Sequence, residues 1–465
     1  MKPLPNNLYS SLTCKWLITA CMLLTFFCFS ACREQAAQLR VATFALDASP
    51  QIGSPVAYAP ARSIVDSLNI RGMVILSDEE PIVLCAVDWL GIANEGMQRW
   101  KESLAEAAGT SPERVSVHAL HQHDGLRCDF TVEKILASYG LAGTKYDTTY
   151  LLAKIAEAAE AVKQAVTRAQ PVTHLGFGQA EVKQVASNRR ILGADGKVKL
   201  IRWSKSTDPE AIAAPEGLID PWLKSISLWN KDKALAVMTY YAVHPQSYYG
   251  QGDVTCEFVG IARNRRQEAM EGVPHIHFNG AGGNVAAGKY NDGSPERRPM
   301  LAQRMEDGMQ KAWENSIKRP LRAEDLQWKS VAIKLPLGKH LVETDLRAIL
   351  ASDTTTADQK FYAAKHLAWL LRTEQGHQIS ISALKLDNIR MLNLPGEIFI
   401  EYQLAAQQML PDAHVVTAAY EEYGMGYIGT EKAYTEGGYE TSERASRVAP
   451  ESEKILMEAI REVLR

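Results

Sequence analysis

Strand-length apolar runs and amphipathic helical stretches take turns along almost the whole of this sequence. Residues 73–76 and 82–87 are short and apolar, with Ser77-Asp78-Glu79-Glu80-Pro81 between them, and read as two adjacent strands. Residues 95–107 carry Trp100, Leu104 and Ala107 at helical spacing. Ser111-Pro112-Glu113 then leads into a strand at 115–119, and 150–168 reads as an alanine-rich helix stopped by Pro171. Further strands are expected at 172–182, 185–188, 234–241, 275–278 and 414–420, with strand signals over 323–339. Helices are expected at 258–270, 299–317, 341–372, 399–409 and 451–464. Residues 379–386 and 389–394 form a hairpin pattern with Asp387-Asn388 at the turn. Such mixing predicts an α/β fold of mixed α+β character, with layered sheets and flanking helices. No internal repeat and no low-complexity segment is visible in the sequence.

The first residues obey different rules. Lys2 and Lys15 precede an apolar run from Trp16 to Phe29, followed by Ser30-Ala31-Cys32. That run is short for a membrane span, which needs about 20 residues, and has the layout of a secretory signal. Small residues directly before Cys32 match a bacterial lipobox. The expected organisation is a lipoprotein signal peptide at 1–31, a short tether at 32–38 with Cys32 lipidated, and one catalytic domain at 39–465. That reading places the protein in a bacterial cell envelope, anchored to a membrane by lipid and facing the periplasm or the surface. A signal anchor, or a signal cleaved without lipidation, is the alternative. The formal charge of the chain is -3, and removing the two leader lysines makes it -5. The charges are mixed rather than gathered into a basic stripe, so no nucleic-acid partner is expected. Of seven cysteines, only Cys85, Cys128 and Cys256 lie beyond Cys32. They do not make a disulfide scaffold or a thiolate zinc site.

Four polar segments carry candidate chemistry. The densest is His118-Ala119-Leu120-His121-Gln122-His123-Asp124-Gly125, directly after a strand. In extended backbone the side chains at 121 and 123 share a face. Imidazoles beside a carboxylate suit a metal site, although a surface histidine cluster has the same pattern. His244 ends an apolar strand beside Pro245 and could equally be a half-buried histidine bonded to backbone. Glu397, in Pro395-Gly396-Glu397, opens a helix, where a carboxylate also favours the helix dipole. Tyr427, in Gly426-Tyr427-Ile428-Gly429, could be a core tyrosine. The glycine-rich loop at 280–284 lacks the order and the lysine of a phosphate-binding loop.

Together these segments resemble the catalytic domain of the neutral, non-lysosomal ceramidases. The resemblance runs through Asp47-Ala48-Ser49-Pro50-Gln51-Ile52-Gly53, the strand 83–88, the histidine cluster, Asn188-Arg189-Arg190, His244-Pro245, Gly282-Gly283-Asn284, Pro395-Gly396-Glu397 and Tyr427 to Tyr439. It implies one zinc ion held by His121, His244, Glu397 and Tyr427. It also implies that His123 and Arg189 line the reaction centre and that Tyr439 falls on a later active-site tyrosine; on chemical grounds His123 is expected to move a proton, and Arg189 and Tyr439 to donate to a developing oxyanion. Zinc would lower the pKa of a water so that it attacks at neutral pH.

The sequence departs from that family in three places. Ala286 stands where the ceramidases carry a serine, which removes a serine nucleophile but not a water one. Asp124 replaces a serine beside the histidines and could bind a polar substrate group, strengthen a ligand or hold a second divalent cation. The chain is also expected to lack the family's C-terminal immunoglobulin-like domain and a long hydrophobic insertion. The expected activity is therefore hydrolysis of an amide in an N-acylated lipid or glycan-derived substrate, rather than of ceramide in particular. Tyr248, Tyr249, Asp253, Asp292 and Asn284 are further candidates for contacting substrate or supporting the site. Two alternatives are hydrolysis of a glycosidic or other bond at the same metal, and a non-catalytic surface lipoprotein that binds a ligand in the old pocket, which Ala286 favours.

Overall fold

The structure is a computed structural model that describes Met1 and residues 38–465. The expected signal peptide, Cys32 and the tether up to residue 37 lie outside the described residues. Leu39–Arg465 forms one compact unit. Among the described residues no helix is long and apolar enough to cross a membrane.

Three larger sheets carry this unit. The first has the order Val115–Ala119, Ile82–Val87, Asn69–Leu76, Arg40–Asp47, Gln170–Pro171. The second runs His275–Asn279, Lys233–Tyr241, Trp222–Asn230, His174–Glu181, Ile317–Pro320. The third runs Leu326–Ile333, Ile379–Leu386, Ile389–Asn393, His414–Ala418.

Each sheet contains the same motif: an antiparallel hairpin, a helix, and a strand that returns parallel to the second hairpin strand. In the first sheet Asn69–Leu76 and Ile82–Val87 are the hairpin, Glu95–Ala108 the helix, and Val115–Ala119 the returning strand. In the second the parts are Trp222–Asn230, Lys233–Tyr241, helix Glu257–Ala269 and His275–Asn279. In the third they are Ile379–Leu386, Ile389–Asn393, helix Ile400–Met409 and His414–Ala418. The three copies share a burial pattern and not a residue pattern, which is why no repeat is visible in the sequence.

Alternation along the strands explains how the sheets assemble. Met73, Ile75, Leu84 and Ala86 of the first sheet, Ile226 and Met238 of the second, and Leu384 and Met391 of the third meet in one apolar cluster. The intervening residues face helices. Val74, Val83 and Cys85 share a cluster with Trp100 and Leu104 of Glu95–Ala108 and with Leu151 and Ile155 of Thr148–Val166. Leu223 and Tyr241 of the second sheet pack with Phe258, Val259 and Ala262, and with Leu301 and Met305 of helix Arg297–Glu314. A strand covered on both faces reads as a continuous apolar run, and Ile82–Val87 is buried at all six positions. Each such side chain contributes about 1.5–3 kcal/mol when fully buried.

Some elements differ from the sequence reading. The expected helix at 341–372 is two helices, Glu343–Ala351 and Ala357–Glu374. The break falls where Thr356 and Gln359 form a reciprocal capping box that starts the second helix. The sequence reading has no counterpart for helix Phe130–Ser138, which begins at Asp129 accepting from the Val132 N–H at 3.0 Å. Cys85, Cys128 and Cys256 are free and buried. The expected hairpin is present, with Asp387 at φ 52° as its tight turn requires.

Candidate metal centre

The carboxyl ends of these strands converge on one buried spot. Val115–Ala119 delivers His121, and Lys233–Tyr241 delivers His244 three residues past its end. Ile389–Asn393 leads into the short strand Glu397–Ile398, which pairs in parallel with Tyr427–Ile428 so that Glu397 lies opposite Tyr427. Each copy of the motif thus contributes one donor. His121 does not continue the strand. Its φ is 69°, a left-handed conformation that costs a non-glycine residue energy and tends to mark functional sites. Despite the turn, His121 and His123 converge, with their Nε2 atoms 3.3 Å apart.

Three donor atoms form a near-equilateral triangle. The Nε2 atoms of His121 and His244 are 3.2 Å apart. Oε2 of Glu397 lies 3.2 Å from the first and 3.0 Å from the second. Two atoms cap this triangle: Tyr427 Oη is 3.3 Å from His244 Nε2, and His123 Nε2 is 3.3 Å from His121 Nε2. Zinc–nitrogen bonds of about 2.0–2.1 Å in tetrahedral geometry separate neighbouring ligands by roughly 3.3 Å. The three histidines alone have donor atoms within 4.8 Å of one another.

The tautomers favour a cation. His121 Nδ1 is 2.7 Å from the Leu90 carbonyl and His244 Nδ1 is 2.6 Å from the Gly282 carbonyl. A carbonyl only accepts, so each Nδ1 carries hydrogen, and in the neutral tautomer this leaves the Nε2 lone pair turned inward. Burial, above all, holds His244 below its ordinary pKa. Two lone pairs facing each other beside a carboxylate need a positive charge between them. The residues present therefore fit a divalent metal such as zinc.

Other expected residues fall around this triangle. Arg189 is buried, donates through Nη1 to Tyr427 Oη at 3.0 Å, and lies 3.2 Å from Glu440 Oε1. Burial pushes the Tyr427 phenol well above its ordinary pKa, and Arg189 opposes the shift. Tyr439 stands edge-on to Tyr427, with ring centres 5.7 Å apart, and its phenol is pushed up to about 12, mainly by burial. Burial and then the charges of His121 and His244 hold His123 well below its ordinary pKa.

Several candidates have partners elsewhere. Asp124 accepts from the Gly250 N–H at 2.8 Å and lies 3.6 Å from Arg298. Burial pushes its carboxyl up to about 7. Asp253 is bound by Arg62 at 2.6 Å and by Ser63, and Asp292 by Arg297 at 2.7 Å. Asn284 braces the loop under Glu397, accepting from the Ile400 N–H at 2.9 Å and donating to Glu401 at 2.9 Å. Ala286 is buried in a two-residue ladder opposite Ser187, whose hydroxyl donates to the Ala286 carbonyl. Tyr249 packs against His123, with ring centres 5.1 Å apart.

The sequence reading missed three tyrosines. Tyr423 donates to Glu397 Oε1 at 2.8 Å, Tyr58 bonds His123 Nδ1 at 2.8 Å, and Tyr420 stacks on His121 with ring centres 4.4 Å apart. The one available signal was that Tyr420 and Tyr423 stand just after a buried strand end, 414–418, in the same place as the histidines.

No protein-family model matches the chain, and no curated protein matches it. Solved structures do match its fold. The neutral ceramidase from Pseudomonas aeruginosa superposes with a TM-score of 0.66 at 15% identity, over 92% of this chain and 74% of that one. A ceramidase complexed with C2 superposes with a TM-score of 0.66 at 14% identity, over 92% and 75% of the two chains. The chain has a neutral ceramidase-like fold.

Proposed function

We propose that this protein is a zinc-dependent hydrolase that cleaves the amide bond of an N-acylated lipid or glycan-derived substrate. The observation that carries the proposal is the triangle of His121 Nε2, His244 Nε2 and Glu397 Oε2, with sides of 3.2, 3.0 and 3.2 Å. Likeness of fold to a neutral ceramidase supports the choice of bond. In this reading His121, His244, Glu397 and Tyr427 hold one zinc. Bound there, zinc supplies a Lewis acid and makes a water acidic enough to lose a proton at neutral pH.

The chain's own groups do the rest. Leu90 and Gly282 fix the tautomers of His121 and His244, and Tyr423 fixes the rotation of Glu397. His123 is held by Tyr58 through Nδ1; in the tautomer that donates its Nδ1–H to the Tyr58 oxygen it keeps a lone pair on Nε2, takes the proton from the attacking water and returns it to the departing amine. Arg189 stabilises negative charge on Tyr427. Tyr439, still protonated, donates to the carbonyl oxygen as charge develops there. Because the nucleophile is water, Ala286 is compatible with turnover. A lipid on Cys32 would hold the enzyme at a membrane of the cell envelope, where N-acylated lipids are within reach.

The test is zinc analysis and hydrolysis by one metal-loaded preparation, against ceramides, N-acyl amino acids, N-acetylated sugars and simple glycosides. About one zinc per chain is expected, lost together with amide hydrolysis in His121→Ala and His244→Ala. Zinc bound without cleavage of any amide would refute the amide hydrolase. Cleavage of a glycoside alone would replace it with the glycosidic alternative.

A further inference from the structure

Beside the metal centre lies a group of cations gathered around aromatic rings. Arg127 follows the histidine cluster in the two-residue strand Arg127–Cys128. Lys365 is half-buried on helix Ala357–Glu374, and Arg444 and Arg447 come from the segment after Tyr439. Aromatic rings tie them together. The Arg127 guanidinium lies 5.2 Å from the Tyr58 ring centre and 5.3 Å from that of Phe361. Lys365 Nζ lies 4.7 Å from the Phe361 ring centre and 3.9 Å from that of Tyr362, and Arg444 covers Tyr362 at 4.4 Å. Arg127, Lys365, Tyr423 and Arg447 line one small cavity together with Asp129, and Arg444 stands outside it, joined to Lys365 through the Tyr362 ring.

This group touches the metal centre at two points. Tyr58, under Arg127, bonds His123, and Tyr423, in the cavity wall, bonds Glu397. Yet among the described residues none of the four cations is in an ion pair. Arg447 is 3% exposed, its Nη1 donates only to the Gly424 carbonyl at 3.1 Å, and its Nε has no partner. Arg127 donates to the Ala57 carbonyl.

The acids nearby are engaged. Asp129 accepts from Val132 N–H at 3.0 Å and Asn94 at 2.7 Å, and burial pushes its carboxyl up to about 7, so at neutral pH it carries only part of a full charge. Asp358 is paired with Lys145 at 3.5 Å. Arg447 is buried, Arg127 and Lys365 are half-buried and Arg444 is exposed; cations withdrawn from water without a direct ion pair are unfavourable in themselves. They make a preset field for an anion. Burial first, then the guanidinium of Arg447, holds the Lys365 ammonium down, and the charge of an anion seated between them would offset both.

We infer that Arg127, Lys365, Arg444 and Arg447 form a subsite for an anionic group, a carboxylate or a phosphate, on the substrate whose amide reaches the metal centre. The inference rests on the proposed amide hydrolase and deepens it: the favoured substrate is an N-acyl compound with a negative charge on the amine side or the acyl side, within reach of the cavity.

Two readouts on the metal-loaded full chain separate this inference from the reading it rests on. The first is binding. Inorganic phosphate is expected to raise the thermal midpoint of the wild type over chloride at equal ionic strength, and the rise is expected to vanish in Lys365→Met and in Arg444→Met. No rise in the wild type overturns the subsite. An equal rise in both variants also overturns it, because the anion would then sit on the metal. The second is the ratio of kcat/KM for an N-acyl glycine to that for its neutral glycinamide. It is expected to favour the carboxylate by roughly tenfold or more, the effect of one charge-assisted contact, and to fall towards unity in both variants. A ratio near unity in the wild type overturns the subsite. Cleavage of neither compound counts against the amide hydrolase alone, and the phosphate measurement then decides the subsite.

Discussion

Tyr423→Phe removes one oxygen from the protein and tests how Glu397 is held. The Tyr423 hydroxyl donates to Glu397 Oε1 at 2.8 Å, while Oε2 faces the two histidines. Burial first, then the charge of Glu397, pushes the phenol well above its ordinary pKa, so it stays a donor throughout the working pH range. Phenylalanine keeps the ring and leaves Oε1 buried with no donor. A hydrogen bond to a charged group contributes about 1.5–3 kcal/mol, and the loss of a group that orients a metal ligand typically lowers metal affinity about 10–100-fold. The assay is competition for zinc against a chromophoric chelator, with the urea midpoint of the metal-free protein measured alongside. The expected result is a Kd raised by that factor with a fold that still melts cooperatively. A Kd within about twofold of the wild type, in a folded variant, would refute the reasoning, because affinity losses of that kind start near tenfold.

Three more outcomes follow from the same contacts. A Cβ at Gly283 would lie 2.2 Å from the Glu397 carbonyl oxygen, a backbone atom that cannot swing aside; Gly283→Ala is expected to cost about 1–3 kcal/mol in urea unfolding and to weaken metal binding, and unchanged values for both would show that the loop yields freely. Asp88 and Arg263 form a buried two-armed pair at 2.6 and 2.8 Å; Asp88→Asn is expected to lose about 3–5 kcal/mol by leaving the guanidinium unpaired, and a loss near zero in the same assay would mean that water reaches it. Burial pushes Asp129 up to about 7, whereas the unfolded carboxyl titrates near about 3.9. Between those values the folded chain holds the extra proton, so this group makes stability fall as pH rises from about 4 to about 7 and then level off. Asp129→Asn is expected to flatten that slope, and an identical slope in the variant, measured by urea unfolding across the range, would rule the group out.

Much of the layered fold was legible because buried strands read as unbroken apolar runs, as at 82–87 and 234–241, and because Glu95–Ala108 shows its apolar face plainly. The positions of His121 and His244 after such runs were legible too. What brought Glu397 and Tyr427 to them was not, since their pairing depends on a two-residue parallel ladder that leaves no periodicity. Residue spacing suggested an extended backbone at 121–123, but His121 turns left-handed and the rings meet by another route. Tyr58, Tyr420 and Tyr423 were missed because a lone tyrosine in a loop looks like any half-buried aromatic until its hydroxyl has a partner. The cations around Phe361 and Tyr362 come from three distant segments, so their gathering without direct ion pairs exists only in three dimensions.

The separation of the donors along the chain has a bearing on how the molecule is made. His121 and His244 are 123 residues apart and His244 and Glu397 a further 153, each in a different copy of the hairpin–helix–strand motif. Contacts over such distances form late, after the local units have collapsed. A chain with two units in place has a pair of imidazoles and no anion between them. Only when the third unit docks does Glu397 arrive, and with it the full set of donors. A metal held by this set of donors would therefore bind fully only when all three units are docked, and its binding would stabilise the completed fold over partly assembled chains.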